Sequence, residues 1–152
     1  MTPEAATALN PVELRLGGGM LALSRLIMTL QNKRMPVAGF TVGRDGEALR
    51  ATILLDCPPE TARRYVALLS GLEDVEEIEL AGETVEVALI RTGGDASWRR
   101  QEAQWAGISA HEEGGTVVAS GDPEKMEAWL GTLEAEDIVR LGPVARPGDG
   151  GE

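Results

Sequence analysis

The stretch MLALSRLIMTLQNKRMPVAGFTV, residues 20 to 42, decides the fold, because an apolar-striped helix in it is stopped by proline and followed at once by a strand. Met20, Leu23, Ile27 and Leu30 recur at three- and four-residue steps, the spacing of one helical face, while Ser24, Gln31 and Lys33 fall elsewhere. Pro36 forces Met35 out of the α region, so the chain leaves the helix extended. Val37 to Val42 is short, apolar and rich in strand formers.

Upstream, Val12, Leu14 and Leu16 alternate with Glu13 and Arg15, which predicts a strand with one buried face, and Gly17-Gly18-Gly19 links it to the helix. Downstream, Arg44-Asp45-Gly46 turns the chain into Leu49, Ala51, Ile53 and Leu55, again at period two, so a hairpin is expected. Pro58 and Pro59 stand where a helix start tolerates proline, and Ala62, Tyr65, Val66 and Leu69 form a helical stripe that ends near Gly71. Val75 to Leu80 closes a βαββαβ unit. From Ala81-Gly82 the order repeats: a strand over Glu83 to Arg91, a helix around Trp98 to Trp105, strands near Ile108 and Val117 about a Gly114-Gly115 turn, a helix carrying Met126, Trp129, Leu130 and Leu133, and a strand over Ile138 to Leu141. Asp122 and Pro123 are good cap and first-turn residues for that last helix. The expected fold is α+β, two tandem ferredoxin-like modules over 11–81 and 82–146, with disordered ends at 1–10 and 147–152. In this arrangement helices cover one face of each sheet, so the other face and the edges call for a partner.

The chain has 152 residues and a formal net charge of -11. That balance, without a basic stripe, argues against nucleic acid and anionic membranes, whose binding needs clustered Lys and Arg. Apolar runs fall short of the roughly 18 residues that span a bilayer, and the N-terminus MTPEAATALN lacks the basic and apolar regions of an export signal. With a single cysteine, Cys57, no internal disulfide can form. A cytoplasmic location is expected.

Strong catalytic signatures are missing: there is no GxGxxG, P-loop, HExxH, zinc-spaced cysteine pair or GxSxG, so no catalytic residue, metal or cofactor is assigned to this chain. His111, the only histidine, precedes Glu112-Glu113-Gly114-Gly115 and reads as a solvated turn residue. Cys57 precedes a helix start whose dipole could stabilise a thiolate, yet a buried strand-end cysteine suits the pattern better. The acids Glu73, Asp74, Glu76, Glu77 and Glu79 alternate with apolar residues as a solvated face. One candidate ligand site remains, the Gly17-Gly18-Gly19 loop, since N–H groups at a helix start can hold a carboxylate; the alternative is that three glycines only permit a tight turn.

Ala22 to Ile27 (ALSRLI) and Phe40 to Val42 (FTV) resemble the first ACT module of the acetohydroxyacid (acetolactate) synthase small, regulatory subunit, and VEVALIR (Val85 to Arg91), ASGDPEKMEAWLGTL (Ala119 to Leu133) and DIVRLGPVAR (Asp137 to Arg146) follow that family's C-terminal domain. The resemblance implies a non-catalytic subunit that pairs through its first module and binds a catalytic large subunit, which holds the thiamine diphosphate, magnesium and flavin. It also implies a branched-chain amino acid bound between the loop-helix start, Gly17, Gly18, Gly19, Met20 and Leu21, and the partner's strand opening at Pro36. The family's Asn before the helix aligns with Gly18, its Gly with Leu21, its next Gly with Arg34, and the Asn opening the second strand with Pro36. Both lost amides could have paired with an amino acid's polar groups, so effector sensing is expected to be weakened or lost while the scaffold persists. The other reading is a stand-alone ACT-like amino-acid-binding module with a different partner.

Overall fold

The computed structural model describes residues 9–91, 97–133 and 137–146. The elements run β1 (Leu9–Leu16), α1 (Gly19–Asn32), β2 (Val37–Asp45), β3 (Ala48–Asp56), α2 (Pro59–Leu69) and β4 (Val75–Leu80), then β5 (Thr84–Arg91), α3 (Ser97–Trp105), β6 (Ser109–Glu113), β7 (Thr116–Gly121), α4 (Pro123–Leu130) and β8 (Asp137–Ala145). Two four-stranded sheets form, ordered β2-β3-β1-β4 and β6-β7-β5-β8. The order is the same in both, so each half is a ferredoxin-like βαββαβ module. Two compact units result: one runs up to Glu83 and takes in Val144 to Arg146, and the other spans Thr84–Pro143.

In the first unit β1 pairs antiparallel with β3 and β4, and β2 with β3. Period-two alternation sends Val12, Leu14 and Leu16 of β1 and Ala51, Ile53 and Leu55 of β3 into the core, where Ala22, Leu26 and Leu30 of α1 and Ala62 and Leu69 of α2 cover them. The opposite face carries charge. Arg50 pairs with Glu13 and reaches Asp45 at 3.1 Å, while Arg15 lies 3.7 Å from Asp45 and 3.5 Å from Glu76. Thr52, buried among them, accepts a hydrogen bond from the Ala145 amide at 3.0 Å.

The second unit repeats this with a smaller core. Ala88 and Ile90 of β5 and Val117 and Ala119 of β7 lie under Ala103 of α3 and Met126, Trp129 and Leu130 of α4. Asp122 caps α4 as its residue type requires, its carboxylate accepting from the amides of Glu124 at 3.0 Å and Lys125 at 3.2 Å. Glu86, buried on the helix side of β5, pairs with Arg140 of β8, which also binds Glu127 of α4 at 2.8 Å.

The α1 stripe differs from the sequence expectation. Leu30 is buried and Leu23 half-buried, but Met20 and Ile27 are 73% and 43% exposed, and the inward face is Ala22, Leu26 and Leu30 instead. Apolar residues surround this helix, so two overlapping stripes satisfy the same spacing and only packing selects one. Some boundaries also move. The first hairpin turns one residue later, at Gly46-Glu47, with Asp45 facing Ala48. α4 stops at Leu130, leaving Leu133 to pack on the core from the following turn, and β8 extends past Leu141 to Ala145. β1 starts at Leu9, inside the segment expected to be disordered, while residues 1–8 and 147–152 lie outside those described.

Candidate functional site

The loop singled out from sequence is a tight strand-to-helix turn. Gly18 caps α1 with φ 93° and Gly19 follows at 63°, both in the left-handed region that suits glycine. At Gly17 the constraint is proximity: its amide donates to the Asp74 carbonyl at 2.9 Å, and the Glu76 carboxylate sits where a β-carbon would project. No side chain caps α1 and no acid lies in its first turn. Its N-terminus therefore keeps backbone donors and the positive end of the helix dipole.

A carboxylate from the neighbouring α2–β4 connection, that of Asp74, lies close to that positive end. Asp74 Oδ1 comes within 3.4 Å of the position a Gly18 β-carbon would take. Arg25, one turn into α1, closes a two-pronged pair with Asp74, Nε to Oδ2 at 2.8 Å and a terminal nitrogen to Oδ1 at 3.0 Å. The Arg25 guanidinium holds the Asp74 carboxyl below the usual aspartate range, and Asp74 in turn raises Arg25. Beside this pair is a cleft of about 310 Å³ lined by Leu16, Leu26, Met28 and Leu72 with Thr29 and Asn32. An incoming carboxylate would meet Glu73, Asp74 and Glu76 around the loop, with Arg25 already paired.

Gly17, Gly18, Gly19, Met20 and Leu21 thus sit together, with Met20 and Leu21 73% and 64% exposed. Pro36 of the same chain lies apart from them, while the implied site takes the strand opening at Pro36 from the partner. It stands beyond the far end of α1, about 20 Å away for 14 residues at 1.5 Å rise, and its carbonyl accepts from the Asp56 amide at 2.8 Å. Sequence reasoning placed Asp74 on a solvated acidic face and left Arg25 unremarked. No local pattern links residues so far apart in the chain.

Cys57 is buried at the end of β3, and burial pushes its thiol up, with Asp56 adding to the effect, which is opposite to thiolate activation. His111 is exposed on β6, its Nε2 3.1 Å from Glu113 Oε2. Among the described residues no group of three or more His, Cys, Asp or Glu is placed to hold a metal, and no helix is long and apolar enough to cross a membrane.

No family model matches the sequence, and no curated protein matches it. Solved structures do. The acetolactate synthase small subunit from Thermotoga maritima superposes with a TM-score of 0.72 at 17% identity, over 91% of this chain and 96% of that one. Protein BT0572 from Bacteroides thetaiotaomicron aligns over 90% of this chain and 94% of that one at 10% identity, with a TM-score of 0.46, too low to carry an argument. The chain shares the two-module fold of the small subunit across nearly the whole length of both.

Proposed function

We propose that this chain is a non-catalytic regulatory subunit of an acetolactate synthase, acting in the cytoplasm on a catalytic large subunit, with amino-acid feedback sensing weakened or lost. The observation that carries the reading is the shared two-module architecture, 91% of this chain against 96% of the small subunit from Thermotoga maritima. The chemistry of the loop supports the second half of the proposal. An amino acid's carboxylate would have to enter a site edged by Asp74 and Glu76, with Arg25 already paired to Asp74 and so not free to receive it.

Pairing of two copies through the first module is part of the same proposal. On α1, Met20 and Ile27 lie seven residues apart, as do Leu21 and Met28, and all four are exposed. This second stripe is the one the core left out. Next to it in chain order comes β2, an edge strand with Val37 and Val42 partly exposed. Apolar surface on a helix and an adjacent sheet edge is what a partner would cover.

Acetolactate formation by the cognate catalytic subunit tests this, measured with and without the chain and with valine, leucine or isoleucine added to each. Stimulation by the chain that survives all three amino acids is the expected result. No stimulation would sink the regulatory-subunit reading and leave a stand-alone ACT-like module.

A further inference from the structure

In the first unit, β3 sends Ala51, Ile53 and Leu55 toward the helices, so Thr52 faces the other way, opposite Glu13 of β1 and Thr41 of β2. No helix covers that face, yet Thr52 is only 3% exposed. What reaches it comes from the far end of the chain. The Ala145 amide, in a residue 8% exposed, donates to Thr52 Oγ1 at 3.0 Å across 93 positions of sequence. Each group depends on the other, because a buried amide or hydroxyl left without a partner is costly. One residue on, the Arg146 amide donates to the Glu83 carbonyl at 2.9 Å, and Arg146 Nε lies 3.5 Å from Glu83 Oε1.

β8 is one strand, Asp137–Ala145, but it begins in the second unit and ends in the first, changing units between Pro143 and Val144. The other crossing of the chain lies between Glu83 and Thr84. The bonds from Arg146 to Glu83 therefore join the first-unit sides of both crossings. With residues 144–146 seated, the second unit is fastened to the first at both of its ends; with them released, it is fastened only at Thr84. Few bonds hold this strap, and the Arg146–Glu83 ion pair is exposed and contributes little in water, so local opening is within reach. Its other end is firm, since Arg140 of β8 binds Glu86 of β5 and Glu127 of α4. Whatever firms or frays β8 is carried along a single strand to Thr52.

We propose that residues 144–146 are a latch on the first module, through which the state of β8 in the second module sets the stability of β3. A ligand or partner that firms β8 thereby stabilises the first module, and loosening of β8 frays it. The latch does not depend on the regulatory-subunit reading. Residue-resolved amide hydrogen exchange on the full chain tests it, with Thr52→Val, which keeps the shape and removes the acceptor, with Thr52→Ser, which keeps the hydroxyl, and with Arg140→Ala added to the wild type and to Thr52→Val. Thr52→Val should speed exchange of the Ala145 and Arg146 amides about tenfold, while Thr52→Ser keeps them protected. Arg140→Ala should speed exchange of the β3 amides in the wild type and add nothing there once Thr52→Val has opened the latch. Unchanged protection of Ala145 in Thr52→Val overturns the proposal. So does a loss in Thr52→Ser equal to that in Thr52→Val, which would assign the effect to packing of the side chain. An equal effect of Arg140→Ala on β3 in both backgrounds overturns it as well, because the coupling would then bypass Thr52.

Discussion

Arg34 holds a left-handed backbone, φ 53°, at the end of α1, a conformation that costs a residue with a β-carbon about 1 kcal/mol. Two hydrogen bonds fix it there, from the Arg34 amide to Gln31 O at 3.0 Å and from the Met35 amide to Leu30 O at 3.1 Å. The second module ends α3 in the same way, with Gly107 donating to Gln104 O at 3.0 Å and Ile108 to Ala103 O at 2.8 Å, but there the left-handed residue is glycine, φ 82°. Arg34→Gly should therefore raise stability by about 1 kcal/mol, read as a higher denaturant midpoint at unchanged slope. Arg140 gives the opposite case. Its removal leaves the buried Glu86 carboxylate without its cation, so Arg140→Ala should cost about 2 kcal/mol in chemical denaturation, less than for a fully buried pair because the Arg140 side chain is 40% exposed. Sequence showed that the helix stops before Pro36, yet it could not show that Arg34 bears the strain, since that follows from backbone angles.

At the scale of elements, the Arg25–Asp74 pair ties the start of α1 to the α2–β4 connection. Asp74 is held below its ordinary value of 3.8, so the pair stabilises the fold fully above that value and loses its contribution as pH falls through the lowered one. Arg25→Ala should lower the melting temperature slightly at neutral pH, and the gap from wild type should close below pH 3.8 and shrink in high salt. α1 itself has two apolar stripes, of which the core takes Ala22, Leu26 and Leu30. Met28→Glu, on the exposed stripe, is expected to keep the helix signal in circular dichroism while reducing the mass in light scattering, as a contact residue would and a core residue would not. The sequence pattern disclosed the helix, its stop and the strand after it. Which stripe turned inward was not legible there, because Leu30 belongs to both and apolar residues flank it on either side until β1 and β3 lie beneath them.

The whole molecule is two copies of one topology with different outer faces, charged in the first module and apolar in the second. Valine at millimolar concentration should leave the melting temperature of the full chain unchanged, measured by thermal shift; a rise that grows with concentration would show that the Gly17–Leu21 loop still binds. By itself the sequence determined the order of elements, the doubled module and the turn glycines, because period-two and period-3.6 patterns with proline and glycine stops are local properties of the chain. Only the tertiary structure decided that Asp74 and Glu76 crowd the candidate loop, that Pro36 stands a helix length from it, and that the Ala145 amide meets Thr52. Those relations join residues far apart in sequence, and no local periodicity encodes which strand lies beside which.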